Sequence, residues 1–142
     1  MNLLHNNTLG IDIGSTTVKI AVLDSEHHML FTDYERHYAN IQETLALLLS
    51  RAKEKLGEMT VSPSITGSGG LTLSGHLNVP FTQEVVAVAT ALQDYAPQTD
   101  VAIELGGEDA KIIYFTGGID QRMNGICAGG TGSFIDQMAS LL

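Results

Sequence analysis

The sequence predicts an α/β fold in which a strand–strand–strand–helix order occurs twice along the chain. Short apolar segments of β-favouring residues are separated by turns, and two longer segments have the spacing or the length of helices. Glycine supplies 15 of the 142 residues, and many of these glycines directly follow a predicted strand. The order is β-β-β-α-β-α and then β-β-β-α. It predicts a first lobe over residues 1–97 and the beginning of a second, similar lobe over residues 98–142.

Three strands joined by short turns are predicted at the start of the chain. The segment Leu9–Ile13 is short and apolar, and in Val18–Leu23 the β-branched residues Val18, Ile20 and Val22 alternate with Lys19 and Ala21. A third strand is expected over Met29–His37, after a turn at Asp24. Consecutive strands with such short connections form an antiparallel meander.

A change of period predicts the first helix, over Ile41–Leu56, because apolar residues recur there at helical spacing. Asn40 is the expected N-cap, Glu43 completes a capping-box pattern with it, and Gly57 is the expected stop. The later elements are a short strand with its glycine-rich loop over Pro63–Gly70 and a helix over Gln83–Tyr95 closed by Pro97. They continue with a buried strand at Val101–Leu105, a hairpin of Ala110–Thr116 with Ile119–Met123, and a helix that begins at Gly129–Gly132.

The charge balance excludes several classes of partner. Sixteen acids against 7 bases give a formal net charge of −9, which repels nucleic acid and anionic membrane surfaces. No apolar run approaches the roughly 18 residues of a membrane-spanning helix, and the first ten residues lack the basic start of a signal peptide. The only cysteine, Cys127, excludes an internal disulfide and fits a reducing cytoplasm.

The first glycine turn lies between two predicted strands and carries an acid and three hydroxyl residues. Gly14 lets backbone amides approach phosphate oxygens, and Ser15, Thr16 and Thr17 add donors. Asp12 is suited to hold Mg²⁺ through its water shell, because this ion keeps most of its waters. The turn is therefore a candidate phosphate site.

Two further turns have related designs. Glu104 precedes Gly106 and Gly107 as Asp12 precedes the first turn, which predicts a second phosphate loop with Glu104 as another water-mediated magnesium partner. The third turn begins the last helix, where free amides and the helix dipole favour an anion. Its candidate contacts are Gly130, Thr131 and Gly132. We expect one nucleotide between the two halves, although each turn taken alone is more often a simple hairpin or cap.

Other nucleotide and metal motifs are missing from the sequence, which has no GxxxxGK[ST], no GxGxxG after a strand and no HExxH. Cys127 lies just before a helix start, where the dipole favours a thiolate, although a lone cysteine is more often a small buried hydrophobe. An iron–sulfur cluster of the [4Fe–4S] type needs four thiolates, so one chain cannot complete it.

Three segments together, LGIDIGSTTVKIAV, ELGGEDAK and MNGICAGGTGSFIDQMA, resemble the ATP-dependent activators of 2-hydroxyacyl-CoA dehydratases and benzoyl-CoA reductases, the BadF/BadG-type ATPases. The resemblance runs from Leu9 to Leu142 and corresponds to the first half or so of the family's activator domain. The last segment is the specific one, since the first is shared with actin, sugar kinases and acetate kinases.

This resemblance implies an actin-like ATPase fold with RNase H-like lobes, and ATP, Mg²⁺ and a [4Fe–4S] cluster shared across a homodimer. It implies that ATP hydrolysis drives low-potential electron transfer, in anaerobic cytoplasm, to a dehydratase or reductase component from a donor such as ferredoxin or flavodoxin. Cys127 matches the first of two cluster cysteines in each protomer. Glu84 matches an acid at the start of the second helix, and we assign it, with Asp12, to catalysis, as the residue that orients the attacking water.

Two residues depart from the family's pattern. Glu104 stands where aspartate is more usual, and Glu108 stands where the shorter activators have glutamine. Both variants are similar to large multidomain activases, which implies an N-terminal fragment. Because one lobe and the beginning of a second do not enclose a nucleotide, we expect this fragment to be inactive alone and to bind ATP with a dissociation constant in the millimolar range, about 4 kcal/mol. Two alternatives stay open: a sugar or acetate kinase of the same superfold, and a non-enzymatic actin-like nucleotide-binding module.

Overall fold

The computed structural model describes residues 7–124 and 131–142, and the chain divides into two compact units. The first unit is Met1–Thr82 and the second is Gln83–Leu142. The sequence analysis ends the first lobe at residue 97, whereas the helix before that residue groups with the second unit. The lobe boundary stays a prediction.

Four strands form the sheet of the first unit: β1 (Asn7–Ile13), β2 (Thr17–Leu23), β3 (Met29–Arg36) and β4 (Val61–Thr66). Their order in the sheet is β3-β2-β1-β4. The first three strands pair antiparallel, which confirms the predicted meander, and β4 pairs parallel to β1. Because parallel strands end at the same edge, the glycine segments that follow β1 and β4 lie side by side.

One face of this sheet is the core of the first unit. Buried positions alternate with more exposed ones along β1 and β2, and the buried set is Leu9, Ile11, Ile13, Val18, Ile20 and Val22. Helix α1 (Ile41–Leu56) covers that face with Leu45, Leu48 and Ala52, so the predicted apolar stripe is confirmed. The core holds the strand ends next to the glycine segments in place.

The two ends of α1 differ in how well they follow the sequence prediction. Gly57 ends the helix with φ +78°, and its N–H donates to the Lys53 carbonyl at 2.8 Å, as the stop signal indicated. The predicted capping box is wrong, because the Asn40 side chain makes no capping hydrogen bond. Its backbone N–H instead donates to the carbonyl of His37 at 2.6 Å, which gives the residue a conformation unlike that of a normal N-cap.

A short helix, α2 (Gly70–Leu77), follows the predicted glycine-rich loop, in a segment for which the sequence predicted no element. The segment contains two glycines and a mixed polar pattern, which are poor helix signals. Packing decides the outcome: a Cβ on Gly70 would lie 2.7 Å from Cγ2 of Ile65, so only glycine allows this close approach to β4. Asn78 then ends the helix in the left-handed conformation, with φ 52°.

The second unit contains α3 (Glu84–Tyr95), β5 (Val101–Leu105), β6 (Ala110–Tyr114), β7 (Asp120–Met123) and α4 (Gly132–Leu141). The strands pair antiparallel in the order β5-β6-β7, which confirms the predicted hairpins. The predicted burial of β5 is wrong, because Val101, Ile103 and Leu105 are exposed. Gly117 and Gly118 form the β6–β7 turn with φ +80° and +122°. Within the described residues, no helix is both long and apolar enough to cross a bilayer.

The turn between β2 and β3 is organised by one carboxylate. Oδ1 of Asp24 accepts the backbone N–H of Glu26 at 2.8 Å and that of His28 at 2.9 Å. The hydrogen bond from His28 favours the charged form most and, together with the contact to Glu26, outweighs desolvation, so the pKa of Asp24 lies below its usual 3.8.

We predict that Asp24→Asn lowers stability at pH 7 and has little effect in strong acid. The depressed pKa adds stability that is present above pH 3.8 and is lost as the pH falls through the lower folded value. Asparagine keeps an acceptor oxygen but never carries the charge. Urea midpoints at pH 7 and at about pH 2 should show the difference converging, whereas the surface control Glu54→Gln should show none. A gap that persists in acid contradicts the prediction.

Candidate functional site

The first glycine turn closes a tight hairpin, which we define as the first glycine hairpin, Asp12–Lys19. The N–H of Gly14 donates to the Thr17 carbonyl at 2.9 Å, which closes the turn. Asp12 and Lys19 lie directly opposite each other on β1 and β2, and Nζ of the lysine is 2.8 Å from Oδ2 of the acid. An acid, a glycine turn and a lysine thus lie together in one hairpin.

The second glycine turn repeats this geometry in a segment that we define as the second glycine hairpin, Glu104–Lys111. The N–H of Gly106 donates to the Asp109 carbonyl, again at 2.9 Å. Glu104 and Lys111 lie directly opposite each other on β5 and β6, with Nζ 3.7 Å from Oε2. In both hairpins the acid is the first residue, the turn glycine the third and the lysine the eighth. The sequence analysis recognised the acid and the glycine but missed the lysine, which the same spacing could have revealed.

A histidine behind the first glycine hairpin fixes the direction of one peptide group. Nε2 of His37 lies 3.2 Å from the carbonyl oxygen of Gly14, and the ring is almost fully buried. Nδ1 accepts the N–H of Ala39 at 3.0 Å, so the proton of the neutral ring is on Nε2, which donates to the Gly14 carbonyl. Since C=O and N–H of a trans peptide point in opposite directions, the amide of Ser15 points away from His37.

The same kind of contact holds the second glycine hairpin, here from the start of α4. The carbonyl of Gly106 accepts the N–H of Gly132 at 2.7 Å, and the hydroxyl of Ser133 donates to the Gly107 carbonyl. The hydroxyl of Thr131, a fully buried residue, also lies 3.4 Å from the Gly107 carbonyl oxygen. The amide of Gly107 is therefore turned away from α4.

The predicted site residues other than Glu84 fall into four groups. Asp12, Gly14, Ser15, Thr16 and Thr17 lie in the first glycine hairpin, and Glu104, Gly106 and Gly107 lie in the second. Thr131 and Gly132 contact backbone carbonyls of the second glycine hairpin, and their contact with a nucleotide stays a prediction. Gly130 and Cys127 lie outside the described residues.

A third glycine segment, Gly67–Gly70, packs against the first glycine hairpin and was not assigned a role from the sequence. The N–H of Gly69 donates to the Ile13 carbonyl at 2.9 Å. Gly67 has φ +95°, and a Cβ there would lie 2.5 Å from Oδ1 of Asp12 and closer still to the Ile13 carbonyl oxygen. The cluster of glycines directly after β4 was the available signal, because parallel pairing with β1 brings it to this edge.

Charge is concentrated in the second unit around Lys111, whose side chain is only 8% exposed. Nζ contacts Oε2 of Glu84, at the first residue of α3, and lies 3.3 Å from Oδ2 of Asp109. Burial opposes the charged form, but the hydrogen bond to Glu84 and the charges of Glu104 and Asp109 outweigh it and raise the pKa of Lys111 above its usual 10.5. The predicted catalytic acid Glu84 is thus tied to the second glycine hairpin.

No three acidic, histidine or cysteine side chains converge as a metal-ligand set in residues 7–124 and 131–142. A magnesium ion that keeps most of its water requires only one or two carboxylates, so this does not conflict with the donor type at Asp12. The Asp12 side chain is 34% exposed beside Lys19, which fits a partner of coordinated water better than a direct ligand in a closed cage.

We predict that Gly67→Ala destabilises the first unit far more than Gly57→Ala. Both positions have positive φ, which costs an alanine about 1–3 kcal/mol, but no atom lies within 4 Å of a Cβ on Gly57. At Gly67 the new methyl would overlap Asp12 and Ile13, which adds about 1–3 kcal/mol of overpacking. Urea unfolding followed by circular dichroism measures both values. Equal losses would show that the Gly67 contacts are unimportant.

The amino-acid sequence of the chain is similar to those of several known proteins. The chain is 29% identical over 140 residues to the (R)-2-hydroxyglutaryl-CoA dehydratase activating ATPase of Acidaminococcus fermentans. This match covers 95% of this chain and 53% of that protein. It is 32% identical over 143 residues to the activator of lactoyl-CoA dehydratase of Anaerotignum propionicum, and this match covers 95% of this chain and 53% of that protein. The chain spans about half the length of the relatives it matches.

Solved structures agree with the sequence comparison. The crystal structure of the Acidaminococcus fermentans dehydratase component A matches with a TM-score of 0.73 at 28% identity, over 95% of this chain and 53% of that one. The activator of the 2-hydroxyisocaproyl-CoA dehydratase from Clostridium difficile, solved with bound ADPNP, matches with a TM-score of 0.71 at 26% identity, over 95% of this chain and 52% of that one. The predicted α/β fold with an RNase H-like, actin-like ATPase lobe is confirmed. The model of the BadF/BadG/BcrA/BcrD ATPase family matches residues 9–142, and the chain belongs to that family.

Proposed function

We propose that this chain supplies the phosphate-binding hairpins of an ATP-hydrolysing activator of a 2-hydroxyacyl-CoA dehydratase. The observation that supports this proposal best is the repeated glycine hairpin. In both copies the carbonyl of the turn glycine accepts a hydrogen bond from outside the hairpin, from His37 to Gly14 and from Gly132 to Gly106. Such a turn offers its next amide to an anion, and two turns of this kind suit the several phosphates of one ATP. A relative solved with bound ADPNP supports the same ligand.

In this proposal Ser15 and Gly107 donate backbone N–H groups to phosphate oxygens. The hydroxyls of Thr16 and Thr17 add donors to the first hairpin, and the Lys19 ammonium adds positive charge near Asp12. Phosphate binding is thus concentrated at two turns of a chain whose net charge is −9. Thr131 and Gly132 contribute by holding the second hairpin.

Magnesium accompanies ATP in the proposal and would neutralise the charge that develops on the transferred phosphate. Asp12 would hold one of the ion's waters, since its carboxylate is partly exposed at the end of β1. We restrict the metal assignment to Asp12, because its lysine partner is 52% exposed, whereas the Lys111 ammonium beside Glu104 is 8% exposed and also contacts Glu84 and Asp109. Glu84 would orient the attacking water from the first turn of α3, where the helix dipole stabilises its negative charge.

The redox part of the proposal concerns the whole protein rather than this chain. Cys127 would supply one thiolate to a [4Fe–4S] cluster at a homodimer interface, and a donor such as ferredoxin or flavodoxin would reduce that cluster. The residues of this chain do not fit the cluster alone, because one cysteine stands against the four that it needs. The names of the relatives, which are activators of 2-hydroxyacyl-CoA dehydratases, support a dehydratase component as the partner and favour this function over a small-molecule kinase.

We predict that the chain binds Mg·ATP with a dissociation constant in the millimolar range and that Gly106→Ala weakens binding at least about tenfold, or 1.4 kcal/mol. A Cβ at this position would overlap Oδ1 of Asp109 and deform the turn. The control is Gly75→Ala in α2, where φ is not left-handed and no atom lies within 4 Å of the new methyl. Isothermal titration with ATP, and with AMP as the comparison ligand, gives the affinities. Equal ATP affinity in the two variants, or equal affinity of the native chain for ATP and AMP, would contradict the proposal.

A further inference from the structure

The two hairpin lysines occupy the same position in the repeat but have different surroundings. Lys19 is 52% exposed and pairs with Asp12. Lys111 is 8% exposed and lies among three carboxylates, those of Glu84, Glu104 and Asp109. Burying a charge is costly unless partners compensate it, so the burial of Lys111 needs an explanation that an ordinary cross-strand pair does not provide.

The three carboxylates come from different parts of the second unit. Glu84 begins α3, Glu104 lies on β5, and Asp109 ends the turn of the second glycine hairpin. Carboxylates this close to one another repel, and a single ammonium with three donors can hold all three. Lys111 therefore joins the helix, the strand and the turn at one point.

The contact with Asp109 reaches the peptide groups of the turn. Oδ2 of Asp109 lies 3.3 Å from Nζ of Lys111, while Oδ1 occupies the space that a Cβ on Gly106 would need. The backbone carbonyl of Asp109 accepts the Gly106 N–H at 2.9 Å. If the lysine holds the carboxylate, it also limits the conformations open to the turn.

We propose that Lys111 is a positioning residue, an internal cation that fixes Glu84 and the turn at Gly106 and Gly107 in the geometry required for ATP. It does not contact the nucleotide. This inference rests on the proposed function and assigns to Glu104 the role of partner to the lysine. The observations that carry it are the three carboxylate contacts, the burial of the ammonium and the contrast with exposed Lys19.

The test uses Lys111→Met, which keeps the length and removes the charge, and Lys111→Arg, which keeps the charge. Lys53→Met, which breaks an exposed pair with Glu58, is the matched control. We expect the methionine variant to lose about tenfold in ATP affinity, the scale of one charged hydrogen bond. The arginine variant should restore most of this loss, and the control should bind as the native chain does.

Two spectroscopic measurements separate positioning from general stability. The carboxyl carbon resonance of Glu84 should move in Lys111→Met and remain close to its native position in Lys111→Arg. In the native chain the Lys111 ammonium should give a slowly exchanging ¹⁵N signal near neutral pH that moves in Glu84→Gln, which reports on the contact even if the methionine variant fails to fold.

The outcomes distinguish this inference from the function on which it rests. If the native chain fails to bind ATP while both resonances behave as expected, the proposed function fails and the positioning contacts stand. If ATP binds but Lys111→Met keeps native affinity and an unmoved Glu84 resonance, the inference is wrong. An ammonium signal that exchanges as fast as that of an exposed lysine also overturns it.

Discussion

A trans peptide group cannot turn its carbonyl in one direction without turning its N–H in the other, and this constraint governs both glycine hairpins. In the first hairpin the Gly14 carbonyl is bound by His37, and in the second the Gly106 carbonyl is bound by the N–H of Gly132. Each contact comes from outside the hairpin and fixes the following amide. Elements remote in sequence therefore determine what the turns can bind.

The surroundings of the first hairpin show what this arrangement costs. Tyr38 and Ala39 have left-handed φ of 43° and 69°, a conformation that disfavours non-glycine residues by about 1–2 kcal/mol each. The turn they form holds His37 against Gly14, with further hydrogen bonds from Ala39 and Asn40 to that histidine. Strain of this kind persists where the surrounding structure determines it fully, and it clusters at functional segments.

Much of the fold could be predicted from local patterns, since the period of apolar residues marks β1, β2, α1 and the hairpins directly. Helix α2 could not, because the close packing of Gly70 on β4 compensates for poor helix propensity. In the site, the acid and glycine positions were visible as a repeat. The hydrogen bond from His37 to Gly14 joins residues 23 positions apart and leaves no local pattern in the sequence. The matching lysines were overlooked, although their spacing is regular.

We propose that both glycine hairpins bind the phosphates of ATP through the amide that follows the turn glycine. The most direct test is a titration of the ¹⁵N-labelled chain with Mg·ATP, followed through the backbone amide resonances of Ser15 and Gly107. The account predicts that both resonances shift along the same binding curve. Shifts confined to one hairpin, or two curves with different midpoints, would contradict it.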